Sequence, residues 1–235
     1  MLMAIADVHD EHQAGLHAKA RAEIYHFLEL ALAHPGELGY EFFTSSQAET
    51  GLVETVARLP RESRLSQALE ACRLFLATVK VSSFDEVEAA HISLFSSNFP
   101  VVPCPPYGSL FTVEEPKRLE EMMAIKKFYR DVGIEIAPSF DDLPDHLCVE
   151  LEVMHLLSFR ECEASSERVA AGVRAQQVYF VDRFMQPFVN RLADIATRYQ
   201  STNPYSNLLN ATRFFLADHR AQLGEASSGI ERHVQ

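Results

Sequence analysis

The chain has 235 residues, of which 47% are hydrophobic, and it carries a formal net charge of −12 at pH 7. This length and apolar fraction are sufficient for one domain with a full core, so we expect a single domain over residues 1–235. The negative charge, with no local cluster of lysine and arginine to offset it, argues against nucleic acid as a partner.

The beginning of the chain shows no export signal, because the first ten residues lack a positive start, a sustained apolar stretch and a small-residue cleavage pattern. Nor does any run approach the roughly 20 apolar residues that a membrane span needs. We therefore expect a cytoplasmic protein without stable membrane insertion. The four cysteines form no C-x-x-C pair, which favours free core thiols over a zinc or redox site.

Apolar residues recur at helical spacing in the first half of the chain, and no period-two run lies between hairpin turns, which predicts an all-α bundle. A first helix is expected over 17–34, ended by Pro35, and a short helical region continues to about residue 59. A further helix is expected over 61–79. Its apolar stripe is formed by Leu65, Leu69, Cys72, Leu76 and Val79. Ser83 and Glu86 then have capping-box spacing.

The second half continues the helical pattern around two loops, at 96–113 and 133–141. Pro116 begins a helix to about residue 132, and the next helix is expected to begin near Asp142. A long helical stretch covers 166–200, with a kink or break at Pro187. Pro204 opens a last helix to about residue 220. Residues 1–15 and 224–235 are expected to be loose tails.

The loop at 96–113 is the longest irregular stretch, and it contains Pro100, Pro103, Pro105, Pro106 and Gly108. Prolines remove backbone donors and restrict the residues before them, so helix is disfavoured there. Loops of this length in compact domains are functional or disordered. The aromatic and aliphatic residues of this segment favour a packed, functional loop over disorder.

Enzyme motifs are scarce in the sequence, which contains no G-x-S-x-G, no Gly-rich phosphate loop and no H-E-x-x-H. The nearest approach to a metal motif is Glu-x-x-His, which occurs three times. The pairs are Glu23 with His26, Glu88 with His91, and Glu152 with His155. Since di-iron bundles use such pairs on facing helices, a di-metal carboxylate enzyme is the alternative to a protein-binding function.

The segment 141–157 contains the helix start with the most candidate site residues. Pro144 fits a first helical turn, Asp142 can cap the helix, and Asp145 lies favourably at the positive end of the dipole. On this interpretation Asp145 and His146 are surface or capping residues.

A second interpretation comes from resemblance. The segment from Leu143 to Met154, with its Pro-Asp-His, resembles the signature of the TorD/DmsD/NarJ family of redox-enzyme maturation chaperones. Upstream, Leu94-Phe95 followed by Pro106-Tyr-Gly-Ser-Leu-Phe111 is similar to that family's LF and PY-S segment. The similarity of layout covers most of the chain. It departs from the family in the spacing between the proline and the aspartate and in the absence of tryptophan.

This resemblance implies a chaperone with no catalytic residues and no cofactor of its own. Such a protein binds the twin-arginine leader peptide or the apo form of a molybdenum-containing oxidoreductase subunit and assists cofactor insertion, assembly and export proofreading, as a monomer or a homodimer. The two loops would form its peptide site. The expected site residues are Tyr107, Leu110 and Phe111 as an apolar floor, Asp141, Asp142, Asp145 and Glu150 as an acidic rim, and Pro106, Pro144 and His146 beside them. Loop anchoring remains an alternative role for Tyr107 and Phe111.

Overall fold

A computed structural model describes residues 3–60, 62–98, 100–137 and 141–233, and within these ranges it is helical without named strands. The first helices are α1 (Met3–Leu32), α2 (Glu37–Thr44), α3 (Ser46–Val56), α4 (Ser63–Val81), α5 (Phe84–Phe95) and α6 (Ser109–Thr112). The later ones are α7 (Arg118–Asp131), α8 (Leu147–Cys162), α9 (Glu167–Phe180), α10 (Gln186–Tyr199) and α11 (Pro204–His233). The predicted all-α class is confirmed.

Local sequence signals set several of these boundaries. The Ser83 hydroxyl accepts from the N–H of Glu86, and the Glu86 carboxylate accepts from the N–H of Ser83, so the predicted capping box opens α5. At the end of α7, Gly133 adopts φ +68°, a conformation that favours glycine. Pro116, the expected start of the next helix, lies in a 3₁₀ turn at Glu115–Lys117 directly before α7.

The first and last helices are longer than the sequence indicated. The segments 3–15 and 224–233, which were expected to be loose, have helical backbone in α1 and α11. Neither stretch contains proline, and a helix that has formed extends by one hydrogen bond for each residue added. The outermost residues of the two expected tails, 1–2 and 234–235, lie outside the described residues.

The core lies between two long antiparallel contacts, in which α1 packs along α8 and α11 packs along α4. The predicted stripe of α4 faces this core: Leu65, Cys72, Leu76 and Val79 are buried, and Leu69 is half-buried at its edge. Burial of such a stripe is the main source of helix stability in a globular protein. None of the described helices has the length and hydropathy that crossing a membrane requires.

The break predicted at Pro187 is a change of helix type rather than a loop. A π-helical turn, Val181–Met185, joins α9 to α10, and Pro187 lies in the first turn of α10. Because proline has no N–H, it cannot continue the regular α-helical hydrogen bonding from α9, and the helix widens to the π turn directly before it. The ring of Phe180 stacks at 5.0 Å on that of Phe128, which fixes α7 against the turn.

Candidate functional site

The two loops that the sequence singled out are joined by backbone hydrogen bonds. The N–H of Gly108 donates to the carbonyl of Asp145 at 2.9 Å, and the N–H of Leu147 donates to the carbonyl of Pro106 at 2.9 Å. Between these bonds the backbone forms an isolated antiparallel bridge. The proline-rich loop and the segment before α8 therefore behave as one structural unit.

The bridge pairs Tyr107 with His146. Their rings meet edge to face, with centroids 5.4 Å apart and planes at 74°. Aromatic pairs in this geometry are attractive beyond the area they bury. The juxtaposition that a shared binding site requires is thus present.

The start of α8 corrects the prediction that this helix begins near Asp142 with Pro144 in its first turn. The helix begins at Leu147, and its N-cap is His146, whose Nδ1 accepts from the N–H of Cys148 at 3.2 Å. Asp142 instead accepts from the N–H of Leu143 at 2.7 Å. The residues before 147 bond across to the proline-rich loop, so their backbone groups cannot also form a helical turn.

Asp145 lies beneath the joined loops rather than on an exposed rim. Its side chain is 1% exposed, and Oδ2 accepts from the backbone N–H of Ser109 at 2.8 Å. The expectation that Asp145 forms part of an acidic rim is therefore wrong in its geometry. A buried carboxylate was missed because the sequence does not reveal that the amide of Ser109, at the start of α6, requires an acceptor.

Glu150 is also buried, with 1% exposure, and so it is not a rim residue either. One oxygen of Glu150 and one of Asp145 have no hydrogen-bond partner among the described residues. Burial raises the pKa of Glu150 well above its ordinary value, and the nearby charges of Asp145 and Glu121 act in the same direction. A Cβ on Gly108 would lie 3.0 Å from Oε1 of Glu150, so glycine lets the loop approach this carboxyl group.

The raised pKa of Glu150 predicts a stability that falls as pH rises. The folded state retains a proton that the unfolded chain releases above its ordinary pKa of 4.5, so stability declines from there up to the raised folded pKa. Glu150→Gln removes this dependence. In urea unfolding between about pH 5 and pH 8, the free energy of unfolding of the variant should increase relative to that of the wild type as pH rises. The increase should be at most about 1.4 kcal/mol per pH unit.

The control for this comparison is Glu163→Gln, since Glu163 is exposed at the end of the same helix. Its free energy of unfolding should follow the wild type across the pH range. A constant difference between Glu150→Gln and the wild type at every pH would contradict the assignment.

A groove of about 640 Å³ opens where the joined loops meet the ends of α1 and α5. We call it the histidine groove, because His34, His91 and His146 all line it. Its other lining residues are Glu29, Leu32, Ala33, Phe95, Ser96, Val102, Pro105, Pro106, Tyr107, Asp142, Leu147 and Cys148. Four of the predicted site residues line the histidine groove: Pro106, Tyr107, Asp142 and His146.

The charge of the histidine groove is set by its carboxylates, because its two more buried histidines resist protonation. Burial lowers the pKa of His91 to about 4, and the Nε2 of that ring lies 3.2 Å from the carbonyl of Leu32. Burial also lowers the pKa of His146, against the raising effect of Asp142 and Asp145. At neutral pH these two rings are uncharged, which leaves an acidic, largely apolar groove.

The other predicted residues lie elsewhere. Leu110 and Phe111 line a different groove, and the Phe111 ring stacks on that of Phe188 with centroids 5.7 Å apart, as expected of a loop anchor. Pro144 is buried, and its carbonyl accepts from the hydroxyl of Tyr129 at 2.9 Å. Asp141 is exposed and does not line the histidine groove.

Several lining residues were not identified as site residues from the sequence. They are Glu29 and His34 near the end of α1, His91 on α5, Val102 in the loop and Cys148 on α8. His91 had a signal, since it precedes the LF segment of the family resemblance. The sequence contains no signal for a site role at the end of α1, because only the packing of α1 along α8 brings this end to the loops.

The alternative di-metal interpretation finds no support in the arrangement of the Glu-x-x-His pairs. Glu23 accepts from Arg58 at 2.9 Å, and Nδ1 of His155 bonds the carbonyl of Ala22 at 2.9 Å. Throughout the described ranges, no three His, Cys, Asp or Glu side chains are grouped so that they could hold a metal ion.

The family described as nitrate reductase delta subunit matches residues 59–194, which is more than half of the chain and includes both loops. A perchlorate reductase assembly chaperone protein of Dechloromonas aromatica (strain RCB) is 27% identical over 170 residues, covering 67% of this chain and 70% of that protein.

A crystal structure from Archaeoglobus fulgidus, described as a redox enzyme maturation protein, shares 24% identity with a TM-score of 0.39, covering 66% of this chain and 90% of that one. The family match carries the assignment, since it extends from before α4 into α10 and includes both joined loops. The chain belongs to the nitrate reductase delta subunit family of redox-enzyme maturation chaperones, and the resemblance to TorD/DmsD/NarJ is confirmed.

Proposed function

We propose that this protein is a cytoplasmic chaperone that binds the twin-arginine leader of a molybdenum-containing oxidoreductase subunit in the histidine groove. It holds the subunit through cofactor insertion and assembly and so delays export. Family membership supports the general role, and the match to a chaperone named for perchlorate reductase supports a redox-enzyme client. The proposal depends most on one observation, that Tyr107 and His146 line one groove although they are far apart in sequence.

The chemistry of the histidine groove suits a basic, apolar peptide. Its floor includes Leu32, Phe95 and Val102, and its carboxylates are those of Glu29 and Asp142. A twin-arginine leader has a basic start followed by an apolar core, so it presents cations to the carboxylates and aliphatic side chains to the floor. Arginine pairs with carboxylates through charge-assisted hydrogen bonds, which give both affinity and orientation.

The size of the histidine groove indicates how much of a leader it holds. A cavity of about 640 Å³ falls within the range of pockets that enclose a small ligand. It therefore accommodates a few anchoring side chains rather than a whole leader, and the remainder lies across the surface. This is the arrangement of known peptide receptors, in which anchor side chains enter pockets and the flanking chain adds weaker contacts.

Two substitutions test the groove with a synthetic twin-arginine leader in isothermal titration calorimetry. Tyr107→Ala removes an aromatic wall and should weaken binding by about tenfold, equivalent to about 1.4 kcal/mol. Asp142→Asn removes an exposed charge and should cost about 0.2–1 kcal/mol, an effect that shrinks as salt is raised from roughly 0.05 to 0.15 M.

Matched controls lie outside the groove. Tyr199→Ala changes an exposed tyrosine on α10, and Asp85→Asn changes an exposed aspartate on α5. Neither should alter the affinity for the leader, and all four variants should retain the helical content of the wild type. If Tyr107→Ala and Tyr199→Ala bind the leader equally well, the histidine groove is not its site.

A further inference from the structure

A second groove, of about 690 Å³, lies on another side of the proline-rich loop and shares Val102 with the histidine groove. We call it the basic groove. Its lining residues are Asn98, Pro100, Val101, Val102, Pro103, Leu110, Phe111, Arg191, Ile195, Arg198, Tyr199 and Gln200. One wall is the loop, and the other is the last two turns of α10 with the residue that follows. The sequence analysis assigned Leu110 and Phe111 of the loop wall to the peptide site, but it gave no function to the wall formed by α10.

The charge of the basic groove is opposite to that of the chain as a whole. Two arginines and no carboxylates line it, in a protein whose formal net charge is −12. Within the described residues, neither Arg191 nor Arg198 has a hydrogen bond or an ion pair. Other arginines on nearby elements are paired: Arg183 with Glu121, and Arg213 with Asp194. The basic groove thus presents two cations without carboxylate partners in the fold.

The two cations are arranged on one face of α10. Arg191, Ile195 and Arg198 follow one another at i, i+4 and i+7, so an aliphatic side chain lies between two guanidinium groups. At a rise of about 1.5 Å per residue, the arginine backbones are about 10 Å apart along the helix. In a polyproline II conformation, with three residues per turn and a rise of about 3.1 Å, side chains three residues apart lie on one face at about this distance.

The surface between the arginines and the loop is apolar and partly open to solvent. Val101 is 72% exposed and Tyr199 is 69% exposed, while Leu110 and Ile195 are half-buried between them. Adjacent exposed apolar side chains with a polar rim are typical of protein interaction surfaces. Pro100 and Pro103 have no N–H to donate from the loop wall, so the guanidinium groups are the strong donors of this groove.

We propose that the basic groove binds a polypeptide segment in the polyproline II conformation, with two carboxylates about three residues apart and apolar side chains between them. Each carboxylate would pair with one arginine, and the apolar side chains would cover Ile195 and Val101. A basic twin-arginine leader has the wrong charge for this groove. The occupant is therefore an acidic, apolar segment of a partner polypeptide and not the leader.

Polypeptide is favoured over other anionic partners by the rest of the groove and by the charge of the chain. A nucleic acid backbone or a free phosphate would engage the arginines but leave the exposed Val101 and Tyr199 uncovered. The net charge of −12 also repels any extended polyanion over distances of about a Debye length, roughly 10 Å at 0.1 M salt. A short segment with a few carboxylates and apolar side chains avoids both difficulties.

Fluorescence anisotropy on the full chain tests the proposal with a labelled synthetic peptide that carries two aspartates three residues apart among leucine, valine and phenylalanine. Arg191→Glu with Arg198→Glu should lower its affinity at least tenfold, because two attractions become repulsions. The matched control is Lys117→Glu with Arg168→Glu, which changes the net charge equally at exposed positions away from the groove. This control should bind the peptide within about twofold of the wild type, as remote rim charges do.

Two further probes identify the class of partner. A peptide with asparagine in place of both aspartates should bind at least tenfold more weakly, and a single-stranded oligonucleotide of equal charge should not compete. Val101→Ser should weaken the acidic peptide several-fold. Failure of the wild type to bind the acidic peptide, equal binding by the doubly reversed variant, or displacement by the oligonucleotide would each overturn the proposal. None of these results would affect leader binding in the histidine groove, which is measured with a different peptide.

Discussion

Glu161→Ala is expected to destabilise the protein by about 3–5 kcal/mol, the cost of leaving a buried charge without its partner. The side chains of Arg21 and Glu161 are 7% and 4% exposed, and they pair at 2.9 Å. Arg174 lies 3.5 Å from the same carboxylate, and Gln177 donates to its other oxygen at 2.8 Å. Without Glu161, Arg174 would keep its ion pair with Glu167, but the buried Arg21 would lose its carboxylate and retain only the amide oxygen of Gln222, at 3.5 Å.

Chemical and thermal denaturation measure this effect, which for a domain of this size corresponds to a fall in Tm of roughly 6–20 °C. Glu163→Ala, two residues further along the chain and exposed, is the matched control and should change stability by no more than about 0.5 kcal/mol. A loss of stability for Glu161→Ala no greater than that of its control would mean that the buried cluster contributes little.

Asp145→Ala is expected to cost about 1–3 kcal/mol and to loosen the proline-rich loop. The substitution removes the acceptor of the Ser109 N–H, which lies 2.8 Å from Oδ2, and leaves that donor buried. It also removes a charge beside Glu150, which offsets part of the cost at high pH. In this variant the proline-rich loop loses its bond to the carboxylate. Only backbone hydrogen bonds and ring contacts then hold the loop to the segment before α8.

Hydrogen exchange monitored by mass spectrometry provides the measurement, since peptides covering 106–112 should lose protection in Asp145→Ala. Asp145→Asn is the informative comparison, because the amide oxygen still accepts from Ser109 while the charge is gone. This variant should keep the protection of the wild type. Equal loss of protection in both variants would show that charge, and not the hydrogen bond, secures the loop.

These two variants also separate stability from recognition. Glu161 is remote from both grooves, and Asp145 lies beneath the wall that Tyr107 and His146 form. We therefore expect Glu161→Ala to retain leader affinity below its melting temperature. Asp145→Ala should lose part of that affinity, because a loose wall must be ordered again when the peptide binds.

The sequence by itself determined the class of the fold and several of its helix boundaries. Apolar spacing of 3.6 residues and the lack of alternation are local properties, so the all-α class followed from them. The same holds for the capping box at Ser83, the stripe of α4 and the break at Pro187, each of which depends on residues within a few turns of one another. The two loop motifs also indicated the family.

Only the tertiary structure decided which members of those motifs face a groove. Asp145 and Glu150 have acidic side chains that were expected on an exposed rim, yet both are buried beneath Gly108. Asp145 accepts a hydrogen bond there, and burial raises the pKa of Glu150 well above its ordinary value. The start of α8 at Leu147 likewise depends on bonds to residues some forty positions earlier.

The unpaired arginines of the basic groove are a further case, since pairing depends on which carboxylates lie within reach in space. The ends of α1 and α5 became part of the histidine groove because packing along α8 and α11 brings them to the loops. Burial, pairing and shared grooves arise from contacts between distant segments, and a pattern of neighbouring residues does not contain them.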